Sequence, residues 1–325
     1  MKRQLLSAAL LIASFAPPIH GASAPQAQQI LAAAEQQAHI FADQGAPLQL
    51  EVDFIAPFDA SSHGHLSLRW QSKDRWWSRV VIGDFRQTSL QNGERVYIAQ
   101  NRPAPIRIRE LTRLLHFAHA TQQLNVKKVK KGVENGITVS CTQLEWEQVK
   151  GESHEICVNP ASNEIVSEAW QAAPPDEQNR ELFSEYTQFQ GHRYPRKLQL
   201  EVNGRTVIAA IVDSLKSAPF DEKLLVPPKG AVERRQCAGM NHAVALKMPD
   251  PAIPVSPGKD RPKGSTIVSL TVLTDGSVSE VQLVGGGTFD LAEGTRADLK
   301  KWKFKPAMCG KEPVVSDVEV VVTSR

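Results

Sequence analysis

The residue types of this chain that could do chemistry are four cysteines and a few histidines, and their spacing builds no catalytic site. His63 and His65 flank a glycine in a predicted turn, while His116 and His119 share a predicted helix without a carboxylate or cysteine at ligand spacing. The sequence contains no CxxC pair, HExxH, GxSxG or phosphate-binding glycine loop. We therefore expect a protein that is not an enzyme and that holds no metal and no cofactor.

The four cysteines predict disulfides if the chain reaches an oxidising compartment. Cys141 and Cys157 lie on predicted neighbouring strands, whereas Cys237 and Cys309 would join the C-terminal region to the segment before it. We favour these two pairs because pairing within each region needs the least long-range rearrangement. Three connectivities remain open for four cysteines.

The N-terminus has the layout of a secretory signal peptide over residues 1–24. Lys2 and Arg3 precede an apolar run at 5–16, and small residues follow at 21–24. A membrane-spanning helix needs about 20 apolar residues, which is more than this run supplies. We expect a periplasmic protein whose signal is removed, with an uncleaved inner-membrane anchor as the alternative.

The segment after the signal predicts a sheet that would position any site. Leu48, Leu50, Val52 and Phe54 alternate with polar residues, which is typical of a half-buried strand. Similar runs predict strands at 66–70, 75–82, 95–99, 137–144, 154–158, 164–170, 194–202 and 206–212. So many short strands indicate an α+β fold built on an antiparallel curved sheet or half-barrel.

A helix is predicted to plug the concave side of this sheet. Ile108, Leu111, Leu115 and Ala118 recur on one helical face, and an earlier helix-like stretch covers 30–41. Five tryptophans could line a cavity there, although aromatic residues in strands more often simply fill a core. They are Trp70, Trp76, Trp77, Trp146 and Trp170.

The C-terminal region predicts a small ββαβ unit. Val268, Leu270 and Val272 alternate with polar residues before an Asp-Gly hairpin turn, and a return strand follows. A helical stripe then leads to Trp302 in WKFKPA, and a valine-rich strand covers 314–323. The apolar face of the strands would be closed by the helix.

These C-terminal residues resemble the C-terminal domain of the TonB family over 255–325. In that family the last strand lies at a sheet edge and can pair with an extended peptide of a partner. The resemblance implies a partner-binding edge at Val314, Val315, Ser316, Asp317, Val318, Glu319 and Val320. The alternative is that the other domain or a second copy caps this strand.

The preceding region, 25–236, resembles periplasmic lipoprotein carriers of the LolA and LolB type. The matching stretches are VNPASNEIVSEAW at 158–170, GHRYPRKLQLEVNG at 191–204 and APFDEKLLVPPKG at 218–230. The resemblance implies an apolar concavity for an acyl chain or a peptide, and a filled interior is the alternative. A proline-bearing linker at 237–254 would join the two domains.

Charge excludes nucleic acid as a partner, because the net charge is only +3. One span is locally basic and could contact lipid headgroups or an acidic protein surface. It contains Arg107, Arg109, Arg113, Lys127, Lys128, Lys130 and Lys131. The alternative is an ordinary solvated helix and turn.

Together these patterns predict an exported binding or adaptor protein of the cell envelope. Its carrier-like domain would hold a hydrophobic or peptide ligand, such as a lipid or lipopeptide, and its C-terminal module would dock on an envelope or outer-membrane protein. One alternative is a membrane-anchored TonB-type energy transducer for outer-membrane transport, which the absence of a long proline-rich spacer disfavours. A second is a structural envelope protein without ligand.

Overall fold

The structure is a computed structural model of the chain. It describes residues 24–41, 45–56, 63–105, 107–117, 124–146, 153–172, 177–235, 237–253, 264–285 and 292–324. The predicted signal peptide therefore lies, except for Ala24, outside the described residues, as do His119 and Ala118.

Within the described part of the chain, thirteen strands form one antiparallel sheet, which confirms the predicted α+β class with an open curved sheet. Its spatial order is β13-β5-β4-β3-β2-β1-β12-β11-β10-β9-β8-β7-β6. The strands β1 to β5 form one consecutive series and β6 to β12 another, and the two series meet where β1 pairs with β12. The strands are β1 (Leu48–Ile55), β2 (His63–Ser72), β3 (Arg75–Ile82), β4 (Phe85–Asn92), β5 (Arg95–Gln100), β6 (Leu124–Glu134), β7 (Ile137–Trp146), β8 (Ser153–Asn159), β9 (Glu164–Ala172), β10 (Glu177–Phe189), β11 (His192–Val202), β12 (Arg205–Ser217) and β13 (Val232–Arg235).

Tight turns explain why neighbouring strands in sequence are neighbours in the sheet. Asn135 and Gly136 join β6 to β7, and Asn203 and Gly204 join β11 to β12, all four with positive φ. Two-residue Asn-Gly turns of this kind match the twist of the strands that they connect. A one-turn 3-10 helix at Glu222–Leu225 follows β12.

Two helices cover one face of the sheet and build the main core. They are α1 (Ala24–Ala38) and α2 (Ile108–Leu115). Leu31 of α1 and Leu111 and Leu114 of α2 join the same buried cluster as the alternate residues of β1, such as Leu50. Burying one such leucine contributes about 1.5–3 kcal/mol. The prediction of a helix that plugs the concave side is confirmed.

The C-terminal unit has the predicted strand, strand, helix, strand order, with short additional strands. Its elements are β14 (Val244–Lys247), β15 (Gly264–Val272), β16 (Val278–Gly285), α3 (Glu293–Leu299), β17 (Lys303–Lys305), β18 (Ala307–Cys309), β19 (Glu312–Val314) and β20 (Ser316–Ser324). In the described residues the sheet order is β16-β15-β20, and β14-β17 and β18-β19 are separate pairs. Trp302 and Phe304 are buried against Val268 and Leu270.

Gly276 shows why the predicted Asp-Gly turn needs glycine. Its φ is +79°, and an added Cβ would collide with the carbonyl oxygen of Phe304. The Phe304 amide in turn donates to the Gly276 carbonyl at 2.9 Å. The turn between β15 and β16 is thereby fixed to the segment after α3.

Much of the predicted linker packs on the C-terminal unit. Within it, β14 pairs with β17, and the Trp302 indole donates to the Pro249 carbonyl at 2.8 Å. The Thr295 hydroxyl donates to the Ala252 carbonyl at 2.7 Å. The segment before β15 is therefore held to this unit by hydrogen bonds. Among the described residues, no helix combines the length and apolarity that a membrane span requires.

Candidate functional site

The predicted docking strand lies at an edge of the C-terminal sheet. β20 pairs with β15 from Ser316 opposite Val272 to Ser324 opposite Gly264, and no second described strand pairs with it. The outer backbone edge of β20 thus has unpaired amide and carbonyl groups in the described part of the chain. This is the geometry that an added strand requires.

Two of the seven predicted edge residues lie outside β20. Val314 belongs to β19 and pairs with Ala307 of β18, and Val315 connects β19 to β20. The short hairpin forms because Gly310, with φ of 62°, lets the chain reverse after Cys309. The alternating valines gave no signal for a break between β19 and β20. The sequence therefore predicted one strand where the structure has two.

The two faces of β20 contact different parts of the molecule. Val318 and Val320 pack against the buried cluster around Trp302. On the other face, Asp317 accepts a hydrogen bond from Thr271 at 2.9 Å and forms an ion pair with Arg234 of β13 at 3.0 Å. Arg234 therefore contacts the polar face of β20, whose residues are exposed, and the backbone edge of β20 remains unpaired by described strands.

Helix α2 connects β20 to the interior of the N-terminal domain. Arg109 forms an ion pair with Glu319 of β20 at 2.8 Å. One helical turn later, Arg113 donates to Glu181 of β10 at 2.8 Å, and its guanidinium lies 3.9 Å from the centre of the Trp170 ring. Helix α2 thus contacts both β20 and the strands β9 and β10.

Arg113 contacts a buried polar cluster of Glu181, Glu168 and His154, which the sequence did not predict. Glu181 is directly opposite Glu168 across the β9–β10 ladder, and their side chains are 1% and 6% exposed. His154 lies 2.7 Å from Glu168. Burial, and secondarily the Glu168 charge, raises the pKa of Glu181 to about 8, although Arg113 acts against the shift. Burial of two carboxylates on facing strands therefore favours a protonated Glu181.

The predicted basic patch is divided between two elements, and carboxylates pair with most of it. Arg107 pairs with Glu110 at 3.3 Å, and Lys130 pairs with Glu155 at 2.9 Å. Arg109 and Arg113 make the contacts described above, and Lys127 pairs with Glu145. Lys128 and Lys131 are exposed and form no ion pair with a described residue. The span was predicted to be basic because it contains few acidic residues of its own. In the structure its carboxylate partners come mainly from other strands of the large sheet and from β20.

Both favoured disulfides are present. Cys141 and Cys157 are register partners on β7 and β8, and Cys237 bonds to Cys309 with their Cα atoms 6.0 Å apart. The Glu134 carboxylate lies near the first pair. Because these two sulfurs are bonded to each other, they offer no thiolate to a metal ion.

Among the predicted tryptophans, Trp170 borders a polar groove between strands, whereas Trp70 and Trp76 make packing and hydrogen-bond contacts within the sheet. Trp70 is 8% exposed and packs on Phe41 at 5.3 Å between ring centres. The Trp76 indole donates to Gln91 at 2.9 Å. Trp77 is half-buried, Trp170 lies beneath Arg113, and the Trp146 side chain is outside the described residues. These positions support a concave face filled by core side chains and helices.

The histidines have structural contacts. His65 hydrogen-bonds to Asp53 at 2.7 Å and to Glu51 at 3.1 Å, and its pKa is raised by these carboxylates despite opposing partial burial. His116 ends α2 with its ring 4.1 Å from that of Phe41. His63 is exposed. None of these arrangements places a nucleophile beside a base.

The C-terminal region matches a known family. Residues 255–323 match the family model described as Gram-negative bacterial TonB protein C-terminal. This confirms the resemblance predicted for that region, which is a minor part of the chain. No curated protein matches the chain.

Solved structures similar to this one include LolA-type proteins, the type that the N-terminal region resembles in sequence. The LolA superfamily protein NE2245 from Nitrosomonas europaea is 14% identical, with 62% of this chain and 97% of that chain covered and a TM-score of 0.40. A putative outer membrane lipoprotein-sorting protein domain from Vibrio parahaemolyticus is 9% identical, with coverage of 62% and 96% and a TM-score of 0.44. A chain of the Pseudomonas aeruginosa MucA/MucB complex is 11% identical, with coverage of 87% and 99% and a TM-score of 0.30. Likenesses this distant carry no information on ligand or partner.

Proposed function

We propose that this protein is an exported, periplasmic adaptor of the cell envelope that binds an extended segment of an envelope or outer-membrane protein along β20. The observation that carries the proposal is the unpaired outer edge of β20 within the region that matches the TonB C-terminal family. An added strand would gain backbone hydrogen bonds at the edge, and its side chains would supply selectivity.

The polar face of β20 supports a rigid docking edge. Asp317 and Glu319 are held by Arg234 and Arg109, so the strand is anchored from the side before a partner arrives. A preordered strand loses less conformational entropy when it binds. The exposed Val321, at 48%, offers an apolar contact beside the same edge.

The N-terminal domain is proposed to serve as a carrier for a hydrophobic or peptide ligand. Its apolar sheet face is covered by α1 and α2, and α2 is short, at Ile108–Leu115. A lipid or lipopeptide would occupy this face by displacing α2. The Arg109 and Arg113 contacts would then link loading to the docking strand.

The docking proposal is tested by prolines placed on β20. Successive residues of a strand direct their amides to opposite edges, so Val318→Pro and Val321→Pro remove donors from different edges. A photo-crosslinking residue at Thr323, in cells of the native host, reports the partner. The proline that removes an amide from the outer edge should keep the melting temperature and abolish the crosslink. The proline that removes an amide directed at β15 should destabilise the sheet.

Val318→Ala and Val321→Ala are the matched controls, because they shorten the side chains but keep the amides. They should retain the crosslink. If both proline variants remain folded and crosslink as well as the unmodified protein, β20 is not the docking strand.

The carrier role and the cellular location are tested by mass spectrometry of protein purified from the native envelope. We expect a mature mass without residues of the signal and co-purified acyl chains or peptides. A full-length mass in the membrane fraction without ligand would contradict the carrier proposal and favour the anchored transducer.

A further inference from the structure

A polar groove lies on the face of the large sheet opposite the two helices. It encloses about 400 Å³, which is within the range of small-molecule sites. Five of its residues are successive register partners across β7 to β11, so their side chains project from one face. They are Gln143, Glu155, Ala169, Arg180 and Glu201.

Ala169 is the reason that the groove exists. It lies at the centre of the row, between Glu155 and Arg180, and its methyl group leaves a gap among longer side chains. Gln171 and Gln178, register partners of each other, close one end. Trp170 and Asn179, which belong to the helix-covered face, border the groove as well, while its other strand residues belong to the opposite face.

Two walls of the groove are held in place by ion pairs with residues beside it. Glu155 pairs with Lys130 at 2.9 Å, and Arg180 pairs with Glu134 at 2.9 Å. These pairs neutralise one negative and one positive side chain. The groove is therefore ordered on both sides and carries little net charge, with Glu201 as its remaining acid.

The other polar side chains have unused hydrogen-bonding capacity. The side chains of Gln143, Gln171, Gln178 and Glu201 make no hydrogen bond to another described residue. Each carboxamide offers two donors and an acceptor, and Glu201 offers acceptors. A ligand here would meet both donors and acceptors at close spacing.

We propose that this groove binds a short, uncharged oligosaccharide. Vicinal hydroxyl groups donate and accept at short spacing, which matches carboxamides beside a carboxylate and a guanidinium. A polyanion is disfavoured because Glu201 is unpaired and Arg180 is already engaged. Strand addition by a peptide is excluded within the groove, because β7 to β11 are paired on both sides.

The test is isothermal titration calorimetry of the full mature chain with cellotriose and with chitotriose, which differ in their acetamido groups. We expect at least one to bind with a Kd of about 1 mM or tighter. Ala169→Tyr fills the groove from its floor and should weaken binding about tenfold or more. Ala209→Tyr is the matched control, because Ala209 is a half-buried alanine of β12 that does not line the groove.

Glu201→Gln provides a second variant that preserves the shape of the groove if Ala169→Tyr disturbs folding. It should weaken binding severalfold while the melting temperature stays unchanged. The proposal is overturned if neither trisaccharide binds at about 10 mM. It is also overturned if a trisaccharide binds the unmodified protein and a folded Ala169→Tyr variant equally well.

Discussion

Glu181 is a buried acid whose environment should make folding stability depend on pH. Its side chain is 1% exposed, next to Glu168 and in contact with Arg113 of α2. A charged residue at an inward strand position breaks the usual alternation, and for this reason the sequence pattern did not single it out. Only the register of β9 and β10 brings the two carboxylates together.

We expect the Glu181 site to lower stability as pH rises. The folded-state pKa of about 8 lies above the ordinary value of 4.5. The unfolded chain therefore loses its proton first, and the folded state is progressively disfavoured from about pH 4.5 to pH 8. Glu181→Gln should raise the free energy of unfolding at pH 7 by up to about 3 kcal/mol. Thermal unfolding across this pH range measures the difference.

The difference between Glu181→Gln and the unmodified protein should become constant well below pH 4.5, where both the folded and the unfolded state carry the proton. Parallel pH profiles for Glu181→Gln and the unmodified protein would contradict the assignment.

Among the structural elements, several strands with one buried face were predictable, but β4, β6, β10 and the short pairings were not. The basic run at 127–131, predicted as a turn, lies in strand β6. The alternation in β1 correctly gave Leu48, Leu50, Val52 and Phe54 as core. The pairing of β14 with β17 joins residues that are far apart in sequence, and neither strand has a periodic pattern long enough to read. The same reason explains why the β18–β19 hairpin was missed.

The candidate site was predictable only as a backbone feature. The last valine-rich strand was correctly placed at a sheet edge, because its composition and the family resemblance agree. The partners of its acidic residues come from β13 and α2, which are more than eighty residues away along the chain. Such contacts follow from tertiary packing, which a local pattern does not encode.

The Cys237–Cys309 disulfide should stabilise the C-terminal unit by restricting its unfolded chain. The cysteines are separated by 72 residues, for which chain entropy predicts about 4 kcal/mol. Replacing both by serine should lower the melting temperature of this unit, measured by calorimetry. The Cys141→Ser and Cys157→Ser pair is the comparison, because its separation of 16 should cost about 3 kcal/mol in the large sheet instead. Equal melting of the serine variant and the oxidised protein would refute the prediction.

At the scale of the whole molecule, Arg234 connects the two domains. It belongs to β13 of the large sheet and contacts Asp317 at 3.0 Å and Thr271 at 3.3 Å in the C-terminal sheet. Because Arg234 is only 21% exposed, this ion pair is less screened by water than a surface pair.

We expect a double-mutant cycle of Arg234→Ala and Asp317→Ala to give a coupling free energy of roughly 1–2 kcal/mol. Chemical denaturation of the C-terminal unit measures it. The control cycle is Arg95 with Glu233, an exposed pair at 3.6 Å whose coupling should be much smaller than that of Arg234 with Asp317. Equal coupling in the two cycles would show that Arg234 does not hold the domains together.

The two edge strands of the open thirteen-stranded sheet differ in their surroundings and charge. β13 leads into the C-terminal unit, whereas β6 ends the sheet with Lys127, Lys128, Lys130 and Lys131. Lys127 and Lys130 are paired with glutamates, so Lys128 and Lys131 are the lysines whose charges would meet if two molecules approached each other through β6. Their repulsion would oppose stacking of the sheets into a growing fibril. This repulsion is electrostatic, so it weakens as ionic strength rises, and we expect association through β6 to increase with salt concentration.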